Sequence, residues 1–73
     1  MAHKYLIRLE TLTDAAQFVA ITAKLSGKIV VTDGEGLCAN ARSLMGVIYA
    51  LEFDNIWCES EEDISFAIRD FID

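Results

Sequence analysis

Proline is absent from this chain, histidine occurs once, and basic residues are few. Without proline and without a low-complexity segment, the 73 residues contain no candidate linker, and no internal repeat is visible. We therefore expect one domain, near the lower size limit for chains that fold without a metal or a disulfide. A hydrophobic content of 53% helps such a chain fill a small core.

The few basic residues are also unevenly distributed. From Glu52 onward the chain has eight acids and one base, Arg69, whereas residues 1–51 hold five bases and four acids. A net charge of −6 with no basic stripe argues against binding to nucleic acid or to an anionic membrane. The acidic C-terminal third is interpreted either as a solvated helix face or as a surface for a basic partner.

Long apolar runs and paired cysteines are lacking as well. No run approaches the length of a membrane span and no signal peptide is visible, so we expect a cytoplasmic protein. Cys38 and Cys58 lie twenty residues apart, with no second pair and no histidine nearby, which is not a metal spacing. We expect reduced thiols that behave as small hydrophobes in strands, and neither a metal nor a cofactor.

Hydrophobic periodicity predicts seven elements in the order β-α-β-β-α-β-α. The first strand alternates, with Ile7 and Leu9 on its buried side, and Ser26-Gly27 ends the first helix. Helices on one face of the sheet would produce a two-layer α+β sandwich. The predicted strands are 5–9, 28–32, 37–40 and 55–59, and the predicted helices extend to residue 25, from 43 to 51, and from Ser60 to the C-terminus.

Candidate capping residues precede each helix. Thr11 with Asp14 resembles a capping box for the first helix, and Thr13 is the competing cap. Ser60 with Asp63 is the candidate for the last helix. The apolar stripe of that helix follows helical spacing and consists of Ile64, Ala67, Ile68, Phe71 and Ile72.

Two segments carry a resemblance to a known family. A hairpin over residues 29–40 leads into Asn-Ala-Arg-Ser-Leu-Met-Gly-Val-Ile at 40–48, and Ala-Ala-Gln-Phe-Val at 15–19 starts the first helix. Together they resemble HPr, the phosphocarrier of the bacterial sugar phosphotransferase system, over nearly the whole chain. The resemblance implies three helices on an antiparallel four-stranded sheet in the order 1-4-2-3, an open-faced sandwich. Cys38 and Cys58 would then lie on non-adjacent strands, where a disulfide is implausible.

The histidine that carries the phosphoryl group in that family is missing. Alignment on residues 15–19 places Thr11 at the histidine position, Thr13 at the arginine position and Asp14 at the proline position. A threonine phosphate is too stable to pass onward, and Asp14 would repel it. His3 precedes the first predicted strand, so we interpret it as an exposed terminal residue. We expect no phosphocarrier activity through histidine, no catalytic residue and no enzyme.

Ser43 is the remaining candidate for regulation. In HPr relatives the matching serine is phosphorylated by a serine kinase, and the modified protein binds a transcriptional regulator. Such a phosphate would meet a helix N-terminus, and Arg42 could add a charge-assisted contact. The resemblance also implies a partner-binding patch of Leu44, Met45 and Ile48, of which we expect Leu44 and Met45 to be at least partly exposed. The alternatives are a plain N-cap serine and a buried patch.

Two other functions stay open at this stage. One is a phosphocarrier of the phosphotransferase system that uses an unaligned group. The other is a homodimeric scaffold that has lost its ancestral partners and associates through an exposed sheet face. If Ile56 and Cys58 face the helices, Trp57 joins Leu6 and Val30 on that face. Alternation alone is equally compatible with a buried Trp57.

Overall fold

The computed structural model describes residues 2–73. It contains a four-stranded antiparallel sheet with the helices packed on one of its faces. The strand order is β1-β4-β2-β3. The α+β fold class and the strand order are therefore as predicted. The strands are β1 (His3–Ile7), β2 (Ile29–Thr32), β3 (Cys38–Asn40) and β4 (Ile56–Ser60); the helices are α1 (Leu12–Thr22), α2 (Leu44–Ala50) and α3 (Ser65–Ile68), followed by a 3-10 turn at Arg69–Phe71.

The register of β4 settles the orientation of Trp57. Ile56 and Cys58 are buried, whereas the alternating Trp57 and Glu59 are only half-buried. Because Leu6 pairs with Trp57 and Val30 pairs with Glu59, these side chains share the sheet face away from the helices. On that face the Lys4 ammonium lies 4.8 Å from the centre of the Trp57 ring, a cation–π contact.

The core lies between the helices and the other sheet face. Phe18 of α1 is fully buried and meets the Phe71 ring edge-on, with 5.7 Å between the ring centres. Ile7 and Leu9 are buried, as the alternation predicts, although Leu9 lies beyond the end of β1. The largest other side chains that are fully buried in this core are Ile29, Val31, Val47, Cys58 and Ile68.

The last helix is shorter than predicted, and its predicted cap is wrong. Ser60 is the last residue of β4, 1% exposed, and pairs with His3 on one side and Ile29 on the other. That pairing keeps its backbone extended, so the helix begins only at Ser65, with Ile64 at the N-cap position and no side-chain cap. Just before it, the Asp63 carboxylate accepts hydrogen bonds from the Ser65 amide (3.0 Å) and hydroxyl (2.8 Å).

The chain end leaves the helix to cover the outer edge of β1. The Arg8 amide donates to the Phe71 carbonyl at 2.7 Å, and the Asp73 amide donates to the Leu6 carbonyl at 2.9 Å. These bonds satisfy backbone groups that an edge strand would otherwise expose. They also explain why α3 stops at Ile68, because a helix continued to Ile72 could not bridge to Ile7.

Both cysteines are free, on strands that flank β2 but do not touch each other. Cys58 is buried as expected, and burial raises the pKa of its thiol to about 12. Cys38 is exposed on the edge strand β3, so the expectation of a buried thiol is wrong there. Among residues 2–73, no helix is both long enough and apolar enough to cross a membrane.

Candidate functional site

The start of α1 is closed by its own side chains. Thr11 is the N-cap residue, and its hydroxyl oxygen accepts a hydrogen bond from the Asp14 amide at 3.1 Å. The Asp14 carboxylate in turn accepts from the amides of Thr11 (3.2 Å) and Glu10 (2.9 Å). The predicted capping box is confirmed, and Thr13 lies inside the helix rather than capping it.

This arrangement places a carboxylate beside Thr11, the residue that the resemblance to HPr aligns with a histidine. The Asp14 carboxylate accepts from the amides of Glu10 and Thr11, so it holds a negative charge next to the Thr11 side chain. A phosphoryl group on Thr11 would meet that carboxylate at close range and be repelled.

The single histidine lies elsewhere. His3 is an exposed residue of β1, opposite Ser60, rather than a residue preceding the strand as expected. Its ring is nearly parallel to that of Tyr5, with 6.5 Å between the centres. The Tyr5 hydroxyl donates to Asp63 at 2.8 Å, and the hydrogen bonds from Ser65 and Tyr5 lower the pKa of Asp63 to about 2. These contacts fasten the start of α3 to β1.

The start of α2 is built differently. Ser43 has extended backbone angles (φ −100°, ψ 121°), and its hydroxyl oxygen accepts a hydrogen bond from the Gly46 amide at 3.1 Å. Its carbonyl accepts from Val47 at 2.9 Å, which begins the helical ladder. The first turn contains no acidic residue, so the N-terminal amides meet no internal carboxylate from the helix itself. Ser43 is half-buried.

Gly46 explains why α2 has no capping box. It occupies the third helical position, the same position that Asp14 occupies in α1. A Cβ atom at Gly46 would lie 2.9 Å from the Asn40 carbonyl oxygen, closer than real Cβ contacts come. No side chain can therefore reach back from this position to the amide of Ser43. The sequence shows the glycine but not the carbonyl that requires it.

Arg42 holds the start of α2 against the end of α1. Its Nε donates to the Thr22 carbonyl at 3.1 Å, and its Nη2 donates to the Leu25 carbonyl. The buried Thr22 hydroxyl donates to the Ala41 carbonyl at 2.8 Å. The Arg42 guanidinium is thus directed to the carbonyl end of α1 rather than toward Ser43. Sequence reasoning missed Thr22, although its position four residues after Phe18 places both on one helix face.

The outer side of α2 carries the apolar residues predicted to bind a partner. Exposure is 44% for Leu44, 82% for Met45 and 37% for Ile48, whereas Val47 and Ala50 on the inner side are fully buried. The predicted exposure of Leu44 and Met45 is confirmed. Tyr49, which was not predicted, is 50% exposed and follows Met45 at helical spacing. We call Leu44, Met45, Ile48 and Tyr49 the α2 patch.

The structure thus brings Ser43 and the α2 patch together and separates both from Thr11. Within residues 2–73 no three His, Cys, Asp or Glu side chains are grouped so that they could hold a metal ion. Comparisons with protein-family models, curated proteins and solved structures found no match to this chain.

Proposed function

We propose that this chain is an HPr-like regulatory module that binds a protein partner through the α2 patch under the control of Ser43 phosphorylation. One observation carries the proposal: an N-cap serine is followed directly by apolar side chains that the fold leaves exposed. A helix start of this kind can accept a phosphate. A partner bound to the neighbouring apolar side chains would also contact that phosphate.

The electrostatics of α2 favour a phosphate at Ser43. A phosphoserine carries nearly two negative charges and three acceptor oxygens, and the first amides of a helix lack intrahelical acceptors. The helix dipole adds a favourable interaction of about 0.3–1 kcal/mol per charge. Since the first turn holds no acid, nothing within α2 opposes the added charge.

The α2 patch defines the chemistry of the partner. Neither the first nor the last turn of α2 has a charged residue, so the patch itself is neutral and apolar. A matching partner presents an apolar pocket for Leu44 and Met45, with a basic group at the side facing Ser43. The resemblance to HPr makes a transcriptional regulator the expected partner and a serine kinase the expected modifying enzyme.

Intact mass spectrometry tests the phosphorylation. The protein is incubated with ATP and a serine kinase directed at HPr, beside Ser43→Ala and a control Ser26→Ala, which removes another hydroxyl outside any helix or strand. We expect one phosphate on the wild type and on Ser26→Ala, and none on Ser43→Ala. No mass increase, or an increase that persists in Ser43→Ala, would contradict control at Ser43.

Site-specific crosslinking tests the docking surface. A photoreactive residue is placed at Met45 or, as a control, at Ala16, which is exposed on α1. We expect a discrete crosslinked partner from position 45 whose yield changes on Ser43 phosphorylation, and no such product from position 16. Equal products from both positions would contradict a docking role for the α2 patch.

A further inference from the structure

A second surface lies apart from the α2 patch, between α1 and the end of the chain. A groove of about 710 Å³ separates the side of α1 from the last four residues. It exists because the chain turns away after α3 to cover β1, which leaves this side of α1 without a helix packed on it. Its apolar lining, which we call the floor, consists of Ala20, Ile21, Phe71 and Ile72.

The acidic lining of this groove comes from two segments of the chain, which we call its rims. One rim is Glu10 and Asp14, the other is Asp70 and Asp73, and Arg8 is the only base that lines the groove. Asp73 forms an ion pair with Arg8 at 3.1 Å, and Asp14 bonds to backbone amides. Glu10 and Asp70 are exposed, so each rim adds a carboxylate beside the apolar floor, within a chain of net charge −6.

We infer that this groove binds a basic amphipathic segment of a protein partner. Apolar side chains of such a segment would cover Ile21 and Ile72, while Lys or Arg residues on both of its flanks would meet Glu10 and Asp70. Both the net negative charge of the rims and the apolar floor are needed for this match. The inference concerns a surface other than the α2 patch, so it does not depend on phosphorylation of Ser43.

A bare cation fits these features less well. The carboxylates are divided between two rims, and within the described part of the chain no three acidic side chains are grouped around one point. A small cation would also leave the apolar floor exposed. A segment that carries both kinds of side chain satisfies the floor and the rims at once.

NMR titration of the whole ¹⁵N-labelled chain tests the inference. The probe is a peptide of about twelve residues whose two termini carry no charge. It has Leu on one helical face and Lys on the other. We expect saturable amide shifts at Gln17, Ile21 and Ile72, and none at Met45. A matched peptide with Glu in place of every Lys is expected not to bind, and binding of both peptides would overturn the role of charge.

Neutral variants locate the charge that matters. Glu10→Gln and Asp70→Asn are each expected to raise the peptide Kd by about 2- to 5-fold, the range for exposed ion pairs. Glu35→Gln and Glu62→Gln remove the same charge at exposed positions outside the groove and are expected to leave Kd unchanged. Equal weakening by all four variants would show general attraction to an acidic chain and overturn the inference.

Spermidine distinguishes a docking groove from a small-cation site. It carries several positive charges but has no apolar side chain to cover the floor. We expect it to compete weakly with the peptide and to leave the amides of Ile21 and Ile72 unshifted. If spermidine binds as tightly as the peptide and shifts the same amides, the groove is a small-cation site and the inference is wrong.

Discussion

The first two helices of this chain begin with the same type of residue, but only the first has a carboxylate beside its N-cap. Thr11 and Ser43 are both N-cap hydroxyl residues that accept a bond from the amide three positions on. What differs is that third position, which is Asp14 in α1 and Gly46 in α2. Asp14 returns a carboxylate to the helix start, whereas the Asn40 carbonyl prevents any side chain at position 46.

The contrast shows how a small fold can close one helix start and leave another available. At α1 the Asp14 carboxylate binds the amides of Glu10 and Thr11 and lies beside the N-cap residue, so a phosphate on Thr11 would be repelled. At α2 the dipole and the first amides have no carboxylate from the helix, and the side chains that follow are apolar and exposed. The regulatory proposal depends on this difference.

Adding a methyl group at the third position of α2 should break the contrast most strongly. Gly46→Ala should raise helix propensity, but the clash with the Asn40 carbonyl should outweigh it and lower the free energy of unfolding by about 1–3 kcal/mol. At exposed Ala16 of α1 the reverse change, Ala16→Gly, should also destabilise, by about 1 kcal/mol. Urea unfolding measures both; a more stable Gly46→Ala would contradict the steric account.

Removing a capping side chain should lower the free energy of unfolding by a smaller amount. Whether two such losses add should depend on whether the two side chains cap the same helix. Thr11→Ala, Asp14→Ala and Ser43→Ala should each lower the free energy of unfolding by about 1 kcal/mol. Thr11→Ala and Asp14→Ala should not add, because each removes half of one reciprocal contact. Thr11→Ala and Ser43→Ala should add, since they affect different helices. Chemical unfolding of the double variants checks both statements, and additivity within the α1 pair would argue against the capping box.

The start of α3 offers a third case, which is sensitive to acid. Hydrogen bonds from Ser65 and Tyr5 lower the pKa of Asp63 from 3.8 to about 2 in the folded chain. A lowered pKa stabilises the folded state above pH 3.8, and this stabilisation is lost as the pH falls toward 2. Asp63→Asn removes the titrating carboxylate, so the free energy of unfolding of this variant should fall less than that of the wild type between pH 3.8 and about 2. An unchanged pH dependence of the urea midpoint would argue against these bonds.

A carboxylate placed at each cap should produce the smallest effect. Ser43→Asp should raise the free energy of unfolding by about 0.3–1 kcal/mol, because the helix dipole of α2 favours a negative charge. Thr11→Asp should produce no gain, since the Asp14 carboxylate already occupies that helix start. Thermal unfolding at low salt compares the two variants. Equal gains in stability would contradict an electrostatic difference between the starts of α1 and α2.

The sequence predicts features that depend on neighbouring residues and misses those that depend on distant ones. The Thr11–Asp14 box follows from a spacing of three residues. Ser60 failed as a cap because its strand partners, His3 and Ile29, are far away in the chain.

The same limit applies to the candidate surfaces. Arg42 was expected near a phosphate on Ser43, but its side chain donates to the carbonyls of Thr22, the last residue of α1, and of Leu25 just beyond it. The groove beside α1 depends on the return of the chain end to β1, which periodicity does not show. Ser43, Leu44, Met45 and Ile48 were predicted as one surface through the resemblance to HPr, and they lie together because they are close in sequence at the start of one helix.

The most direct test of the central claim compares a phosphate at the two helix starts. Phosphoserine is incorporated at position 43 or at position 11, with position 26 as a control outside the helices, and Tm is measured for each protein. We predict that phosphoserine at 43 raises Tm relative to the unmodified chain and that phosphoserine at 11 lowers it. Equal changes at the two positions, or a fall in Tm at 43, would contradict the account.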